Sequence, residues 1–205
     1  MLKNRFFLRN SIVVAICLAA VTLFSGCNNN TRKTNDDSND TVEKYYSVKS
    51  AQLVLEKYDD GHLTQTDIIM WDDYGQKYRI GSSDKSYSVV DVTAGKGFAL
   101  DNGEYVELSS TFVNAVITGR VGVKYPENNT SMPEYKELPN QIIAGKECKG
   151  HSFVSAGVTC TYAGWNGLLF LKEEKGLLNG TVSVDESYKV ISYSETIPSG
   201  CFDKP

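Results

Sequence analysis

Few residues of this chain have the type and spacing that catalysis requires. The two histidines, His62 and His151, stand apart from any G-x-S-x-G serine motif, and a general base needs a partnered nucleophile or acid. A hydrolase would need one of them, or a carboxylate pair, in a cleft. Asp72 and Asp73 lack the spacing of a calcium-binding loop and predict an Asp-rich hairpin turn. We therefore expect no catalytic residue and a protein that is not an enzyme.

Three cysteines, Cys148, Cys160 and Cys201, lie in the C-terminal third of the chain. Their spacings of 12 and 41 residues do not match the C-x₂-C pattern of zinc sites, so we expect no metal and no cofactor. In an oxidising compartment three thiols allow one disulfide and one remaining thiol. All three pairings remain open at this point.

The N-terminus has the features of a secretory signal. Three basic residues precede an apolar run of 14 residues, Ser11–Phe24, which is too short for a spanning helix of about 20 residues. The sequence LFSGC that ends at Cys27 is similar to the lipobox of bacterial lipoproteins. That resemblance implies cleavage before Cys27 and lipid attachment to it. Cys17 is the poorer match because Ile16 precedes it, and a plain signal peptide is the alternative.

Residues 1–26 are thus predicted to be a lipoprotein signal peptide and residues 27–41 a lipid-anchored, flexible tether, because NNNTRKTNDDSNDT cannot bury apolar surface. The mature chain has 18 basic and 25 acidic residues, a net charge of −7, which argues against nucleic acid as a partner. The membrane is the partner expected through the N-terminal lipid. Asn28 is not acidic, which favours an outer-membrane anchor facing the periplasm; cell-surface display remains possible.

Residues 42–205 form one predicted domain, a mainly β (α+β) fold, because short β-rich runs alternate with turn residues. The predicted strands are Tyr46–Tyr58, His62–Trp71, Gln76–Ile80, Ser86–Val92, Gly97–Leu100, Tyr105–Leu108, Gln141–Ala144, Cys148–Val154, Val158–Ala163, Gly167–Glu174, Thr181–Asp185 and Tyr188–Ser194. Apolar residues in Ser109–Val121 recur at helical spacing, with Ser109 or Ser110 as N-cap. The proline-containing segment Gly122–Asn140 is predicted to be a long loop.

Four short runs resemble, in order, segments of a group of Bacteroidetes lipoproteins. They are Trp71–Lys77 (WDDYGQK), Ile143–Lys149 (IAGKECK), Trp165–Lys172 (WNGLLFLK) and Glu195–Pro205 (ETIPSGCFDKP). That group is similar to the outer-membrane lipoprotein carrier superfamily, which includes LolA, LolB and the stress regulator RseB. The resemblance implies a strongly curved antiparallel sheet, an open half-barrel with one or two covering helices. This chain departs from the carriers in offering one clear lid helix.

The resemblance further implies a concave apolar cavity, and a one-sided sheet must cover its apolar face or bind something with it. We expect a monomeric, non-catalytic envelope lipoprotein that binds a hydrophobic small molecule or a lipidated partner such as a lipoprotein. The alternative is a structural or regulatory interaction protein with a filled interior. The candidate cavity residues, each of which could equally be ordinary core, are Leu53, Leu55, Ile68, Met70, Trp71, Phe98, Leu100, Phe112, Val116, Ile117 and Leu169.

Overall fold

A computed structural model describes residues 44–126 and 130–205. The predicted signal peptide, the tether and Cys27 lie outside the described residues. The described strands are β1 (Ala51–Asp59), β2 (His62–Asp72), β3 (Lys77–Ser83), β4 (Ser86–Asp91), β5 (Lys96–Asp101), β6 (Glu104–Glu107), β7 (Lys136–Ile143), β8 (Lys146–Ser155), β9 (Val158–Trp165), β10 (Leu168–Leu178) and β11 (Val182–Ser194). One α-helix, α1 (Ser110–Gly119), connects β6 to β7, with short 3₁₀ turns at Asp73–Gly75 and Arg120–Val123.

The strands form one open antiparallel sheet in the order β6-β5-β4-β3-β2-β1-β11-β10-β9-β8-β7. Each half of the chain is a meander, and the two halves join where β1 pairs with β11 at the centre. The mainly β prediction is confirmed. Five of the ten strand pairs contain a register shift, and such bulges bend strands and increase their twist. The register therefore suits the half-barrel curvature, which itself stays a prediction.

The helix prediction is confirmed, whereas three features of the strand prediction are wrong. The predicted strand Tyr46–Tyr58 begins only at Ala51, because the residues before it are bonded to the turn at Tyr74 and not to a neighbouring strand. The Ser109 hydroxyl caps α1 by accepting a hydrogen bond from the Phe112 amide, as expected of an N-cap serine. Strand β11 is continuous where two strands were predicted, because its middle pairs with both β10 and β1. Strand β7 begins inside the predicted loop. It tolerates Pro139 because it is an edge strand with a bulge there.

Trp71 is the centre of the main core. Its side chain is fully buried, its indole N–H donates to the Val48 carbonyl at 3.0 Å, and its ring lies 4.4 Å from that of Tyr46. Tyr46 and Val48 precede β1 and are held over the sheet by backbone hydrogen bonds to the turn at Tyr74. The chain entering the domain thus supplies core residues although it is not a strand. In the described part, no helix has the length and apolarity to cross a bilayer.

The C-terminal segment contacts strand β3, through a residue on the face opposite Trp71, and the edge strand β6. The buried Arg79 guanidinium donates to the Cys201 carbonyl at 3.2 Å and pairs with Asp84 at 3.0 Å. It also lies 3.7 Å from the centre of the Tyr87 ring. Near the edge, Lys204 reaches Glu107 on β6. These contacts hold Cys201 and Lys204 against the first half of the sheet.

Candidate functional site

One face of the sheet changes from apolar to polar along neighbouring strands. Side chains two residues apart in a strand share a face, and directly paired residues of adjacent strands share it too. On β1 this face presents Leu53, then Leu55, then Lys57. On β2 it presents Ile69, paired with Leu53, and then Asp67, paired with Leu55. The change from apolar to charged side chains therefore falls close to one level on both strands.

Strand β11 repeats the change. Val190 pairs with Leu55, and Tyr188 pairs with Lys57. The apolar residues of this face, hereafter the apolar half, are Leu53, Leu55, Ile69, Trp71 and Val190. The polar residues that border it, hereafter the polar belt, are Lys57, Asp67, Tyr188, Lys172 and Glu174.

Lys172 continues the polar belt onto β10, where it pairs with Tyr188. The ammonium groups of Lys57 and Lys172 lie 5.3 and 5.4 Å from the centre of the same Tyr188 ring. Lys172 also forms an ion pair with Glu174 at 3.0 Å, with side chains only 11% and 17% exposed. Charged side chains are rarely this buried unless they are paired. The polar belt is thus a semi-buried network set directly beside apolar surface.

The environment of the polar belt shifts two of its ionisation equilibria. Burial raises the pKa of Asp67, although the Gln65 amide, which donates to both carboxylate oxygens at 2.8 Å, and the nearby Lys57 oppose it. Burial acts to lower the pKa of Lys57, but Tyr188 and the nearby carboxylates outweigh it, so that the pKa is raised. The charged form of Lys57 is therefore favoured at neutral pH.

Helix α1 and the turn after it cover the apolar half. Val116 of α1 packs against the main core together with Leu55 and Ile80, and all three are only partly buried. The buried Arg120 at the C-terminus of α1 donates from Nε to the Ile117 carbonyl at 3.2 Å and from Nη1 to the Gly75 carbonyl. These bonds fasten the end of the helix to the 3₁₀ turn that follows β2.

The predicted cavity residues fall on both faces of the sheet. Leu53, Leu55 and Trp71 belong to the apolar half. The opposite face carries Ile68, Met70, Phe98 and Leu100. Phe112, Val116 and Ile117 are half-buried on α1, and Leu169 lies in a separate cluster. A single cavity between α1 and the apolar half could therefore be lined by Leu53, Leu55, Trp71 and the residues of α1. The residues of the opposite face could not line the same cavity.

That separate cluster is aromatic and encloses His151. The Nδ1 atom of His151 lies 2.5 Å from the Tyr125 hydroxyl. The ring centres of Tyr135, Phe153 and Tyr162 lie 5.6, 6.1 and 5.6 Å from the centre of the imidazole. Gly164 is required here because a Cβ atom would collide with the Tyr125 ring. The other histidine, His62, is exposed at the start of β2. The structure does not bring the two histidines together.

His151 should make stability pH-dependent. Burial lowers its pKa from the ordinary value of 6.5, so the unfolded chain binds a proton more readily than the folded chain does. The contribution is therefore fully present above pH 6.5 and is lost as the pH falls through the lower folded-state value. We expect His151→Gln to lose less stability than the wild type between pH 7 and pH 5, measured by urea unfolding. The exposed His62→Gln should match the wild type, and equal slopes in all three proteins would contradict the expectation.

The three candidate disulfide cysteines are buried, free thiols. Cys160 pairs with Phe153, five residues along β8 from Cys148, which is about 16 Å at 3.2–3.4 Å per residue and beyond the roughly 7 Å that a disulfide spans. Cys201 lies beside Arg79 on the other half of the sheet. The structure lends no support to a pairing. Within residues 44–126 and 130–205, no three His, Cys, Asp or Glu side chains are grouped as metal ligands would be.

Sequence reasoning did not single out the polar belt. The signal was present on β1, where Leu53, Leu55 and Lys57 follow one another at the spacing of a single face. It was hidden on β11, because that strand was predicted as two and Tyr188 was placed at the start of the second one. Which strands adjoin β1 could not be read from the chain order, since β11 is its neighbour.

Comparison with known proteins finds matches among the solved structures. No family model matches the chain, and no curated protein matches it. The crystal structure of MucB in complex with MucA(peri) aligns with a TM-score of 0.45 at 11% identity, covering 76% of this chain and 54% of the matched chain. This chain thus spans about half the length of the solved chain.

Proposed function

We propose that this protein is a non-catalytic binding protein of the bacterial envelope. Its ligand is hydrophobic, either a small molecule or the lipid part of a lipidated partner, and it lies between helix α1 and the apolar half. The sheet curves around it as an open half-barrel. Cys27 carries the lipid that anchors the protein to the outer membrane, with the domain in the periplasm.

The observation that supports this proposal is the incomplete cover of the apolar half. Leu55, Ile80 and Val116 pack against the core yet keep part of their surface accessible, and Leu55 is paired with Asp67 of the polar belt. Removing apolar surface from water is favourable by about 25 cal/mol per Å². Sites for hydrophobic ligands combine such surface with a few polar groups that orient the ligand, as the polar belt would do here.

The proposal is tested by ligand binding with a matched pair of variants. Leu55→Glu places a charge in the apolar half, whereas Ile191→Glu changes an apolar side chain that is 46% exposed on the neighbouring strand β11. We expect the protein extracted from membranes to carry a non-covalently bound lipid in native mass spectra, in addition to the lipid attached to Cys27. We also expect it to bind a hydrophobic dye. Leu55→Glu should weaken dye binding at least tenfold and Ile191→Glu should leave it unchanged. Absence of both lipid and dye from the wild type would contradict the proposal.

A protein partner is the second candidate, favoured by the tip of the β10–β11 hairpin. Leu177, Leu178 and Val182 are exposed there, next to a turn at Asn179 and Gly180. Exposed apolar side chains grouped in one patch are typical of interaction sites. If the interior is filled, crosslinking in intact membranes should capture a protein through this tip and the purified protein should carry no lipid.

A further inference from the structure

We propose that the polar belt selects a ligand with an uncharged, hydrogen-bonding head group, such as the glycerol of a monoacylglycerol, over a fatty acid or a long-chain amine. The inference rests on the proposed function, because it assigns the head group of the same hydrophobic ligand. It is carried by two features of the polar belt: where it lies relative to the apolar half, and how its charges are arranged.

The position of the polar belt suits a head group. Lys57 follows Leu55 on the same face of β1, and Tyr188 precedes Val190 on the same face of β11. Residues two apart in a strand are separated by about 7 Å. A ligand whose hydrocarbon chain lies on the apolar half can therefore place its polar end within about 7 Å of the polar belt. Among the described residues of β1, β2 and β11, no other row of charged side chains borders the apolar half.

The charges of the polar belt cancel. Two cations, Lys57 and Lys172, face two carboxylates, Asp67 and Glu174, and Lys172 is already paired with Glu174 at 3.0 Å. One residue pair further toward the hairpin tips, Glu186 on β11 lies opposite Asp59 on β1 in the strand register. Both carboxylates act to raise the pKa of Lys57. A carboxylate head group would find no net attraction there, and it would lose its hydration.

An ammonium head group is disfavoured for a related reason. To reach Glu174 it would have to displace Lys172, whose side chain is 11% exposed and lies beside the Tyr188 ring. Asp67 already accepts two hydrogen bonds from the Gln65 amide. Asp59 and Glu186 lie one step outside the polar belt and interact with Lys57. A cation bound within the polar belt would therefore exchange its full hydration for carboxylates that already have partners.

A hydroxyl group matches this arrangement better. Ammonium groups only donate hydrogen bonds, carboxylates only accept them, and hydroxyls do both. Lys57 and Lys172 supply donors, Asp67 and Glu174 supply acceptors, and all lie within one row of neighbouring strands. A head group with two hydroxyls can bond to both kinds of partner without bringing a charge into a semi-buried site.

Photolabelling of the full chain in isolated membranes tests the inference. The probes are a photoactivatable monoacylglycerol, fatty acid and alkylamine of one chain length, compared at pH 8, where the last two are charged. We expect at least tenfold more labelling by the monoacylglycerol than by either charged probe, at peptides of β1 and α1. No labelling by any probe would overturn the proposed function itself. Labelling by all three to the same extent would overturn only the inference about the head group.

Two near-isosteric changes unbalance the polar belt in opposite directions. Glu174→Gln leaves Lys172 without its carboxylate and should raise the ratio of fatty acid to monoacylglycerol labelling at least fivefold. Lys172→Met removes the ion-pair partner of Glu174, which keeps its hydrogen bond from the Tyr162 hydroxyl, and should raise the ratio of alkylamine to monoacylglycerol labelling by a similar factor. The matched controls, Glu173→Gln and Lys175→Met, lie on the other face of the same strand and should change neither ratio.

The variants also separate head-group selection from a purely structural role. A structural role of the ion pair would lower labelling by all three probes together in Glu174→Gln and in Lys172→Met. Selection by charge raises the fatty acid ratio in Glu174→Gln and the alkylamine ratio in Lys172→Met. It leaves monoacylglycerol labelling in both variants within about twofold of the wild type. Ratios that stay constant in both variants would overturn the inference even where labelling itself persists.

Discussion

Replacing Trp71 with alanine is expected to destabilise the domain by about 3–5 kcal/mol, the range for truncating a large buried aromatic side chain. The side chain is fully buried, packs on Tyr46 at 4.4 Å and donates its indole N–H to the Val48 carbonyl at 3.0 Å. Alanine would leave a cavity and an unsatisfied carbonyl in the main core. Since domains are stable by only about 5–15 kcal/mol, a large part of the folded state should be lost at 37 °C. The measurement is urea unfolding followed by far-UV circular dichroism.

Two further variants check the physical reason for this effect. Trp71→Phe keeps an aromatic ring but removes the donor to Val48, and should cost about 1–2 kcal/mol, within the range for an unsatisfied buried carbonyl. Ile191→Ala, at a side chain that is 46% exposed, should change stability by less than about 0.5 kcal/mol. A loss in Trp71→Ala no larger than that in Ile191→Ala would show that the core does not depend on Trp71.

Replacing Cys27 with serine is expected to abolish lipid attachment altogether. The proposed anchor depends on a thiol at the position after Ser25 and Gly26, and a thiol is a far better nucleophile than a hydroxyl because it ionises more readily. Cells grown with a labelled fatty acid should incorporate it into the wild type and not into Cys27→Ser. We further propose that cleavage before Cys27 requires the attached lipid, so the variant should also accumulate as the longer precursor.

The chain provides its own control for the anchor. Cys17 lies inside the apolar run and follows Ile16, so Cys17→Ser should incorporate label and be processed like the wild type. Incorporation into Cys27→Ser, or its loss in Cys17→Ser, would contradict the assignment of Cys27. A variant that is cleaved but unlabelled would indicate a plain signal peptide instead.

Local sequence signals were enough for most of the secondary structure. Turn residues such as Asp60-Gly61 and Asn102-Gly103 mark hairpins whose backbone requires positive φ, and Ser109 marks the start of α1. These features depend on a few adjacent residues, which is why they can be read from the chain. The continuity of β11 could not, because its middle is held by pairing with β10 and β1.

The site shows the same division. The sequence indicates many apolar strand residues, but it does not say which side of the sheet each occupies when two apolar residues are adjacent. Met70 and Trp71 were both candidates for one cavity, yet they lie on opposite faces, and Met70 pairs with Arg79 on the face that the C-terminal segment covers. A shift of one residue in register moves a side chain to the other face, so only strand pairing decides this.

The sequence by itself determined that residues 42–205 are rich in β-strands and that a helix lies within Ser109–Val121, where the structure has it at Ser110–Gly119, since these features follow from composition, short-range spacing and turn chemistry. Only the tertiary structure decided that Lys57, Tyr188 and Lys172 form one row beside an apolar surface. Lys57 is more than 100 residues from the other two in the chain. The reason is that pairing between β1 and β11 joins the two ends of the domain, and no local pattern encodes a contact of that range.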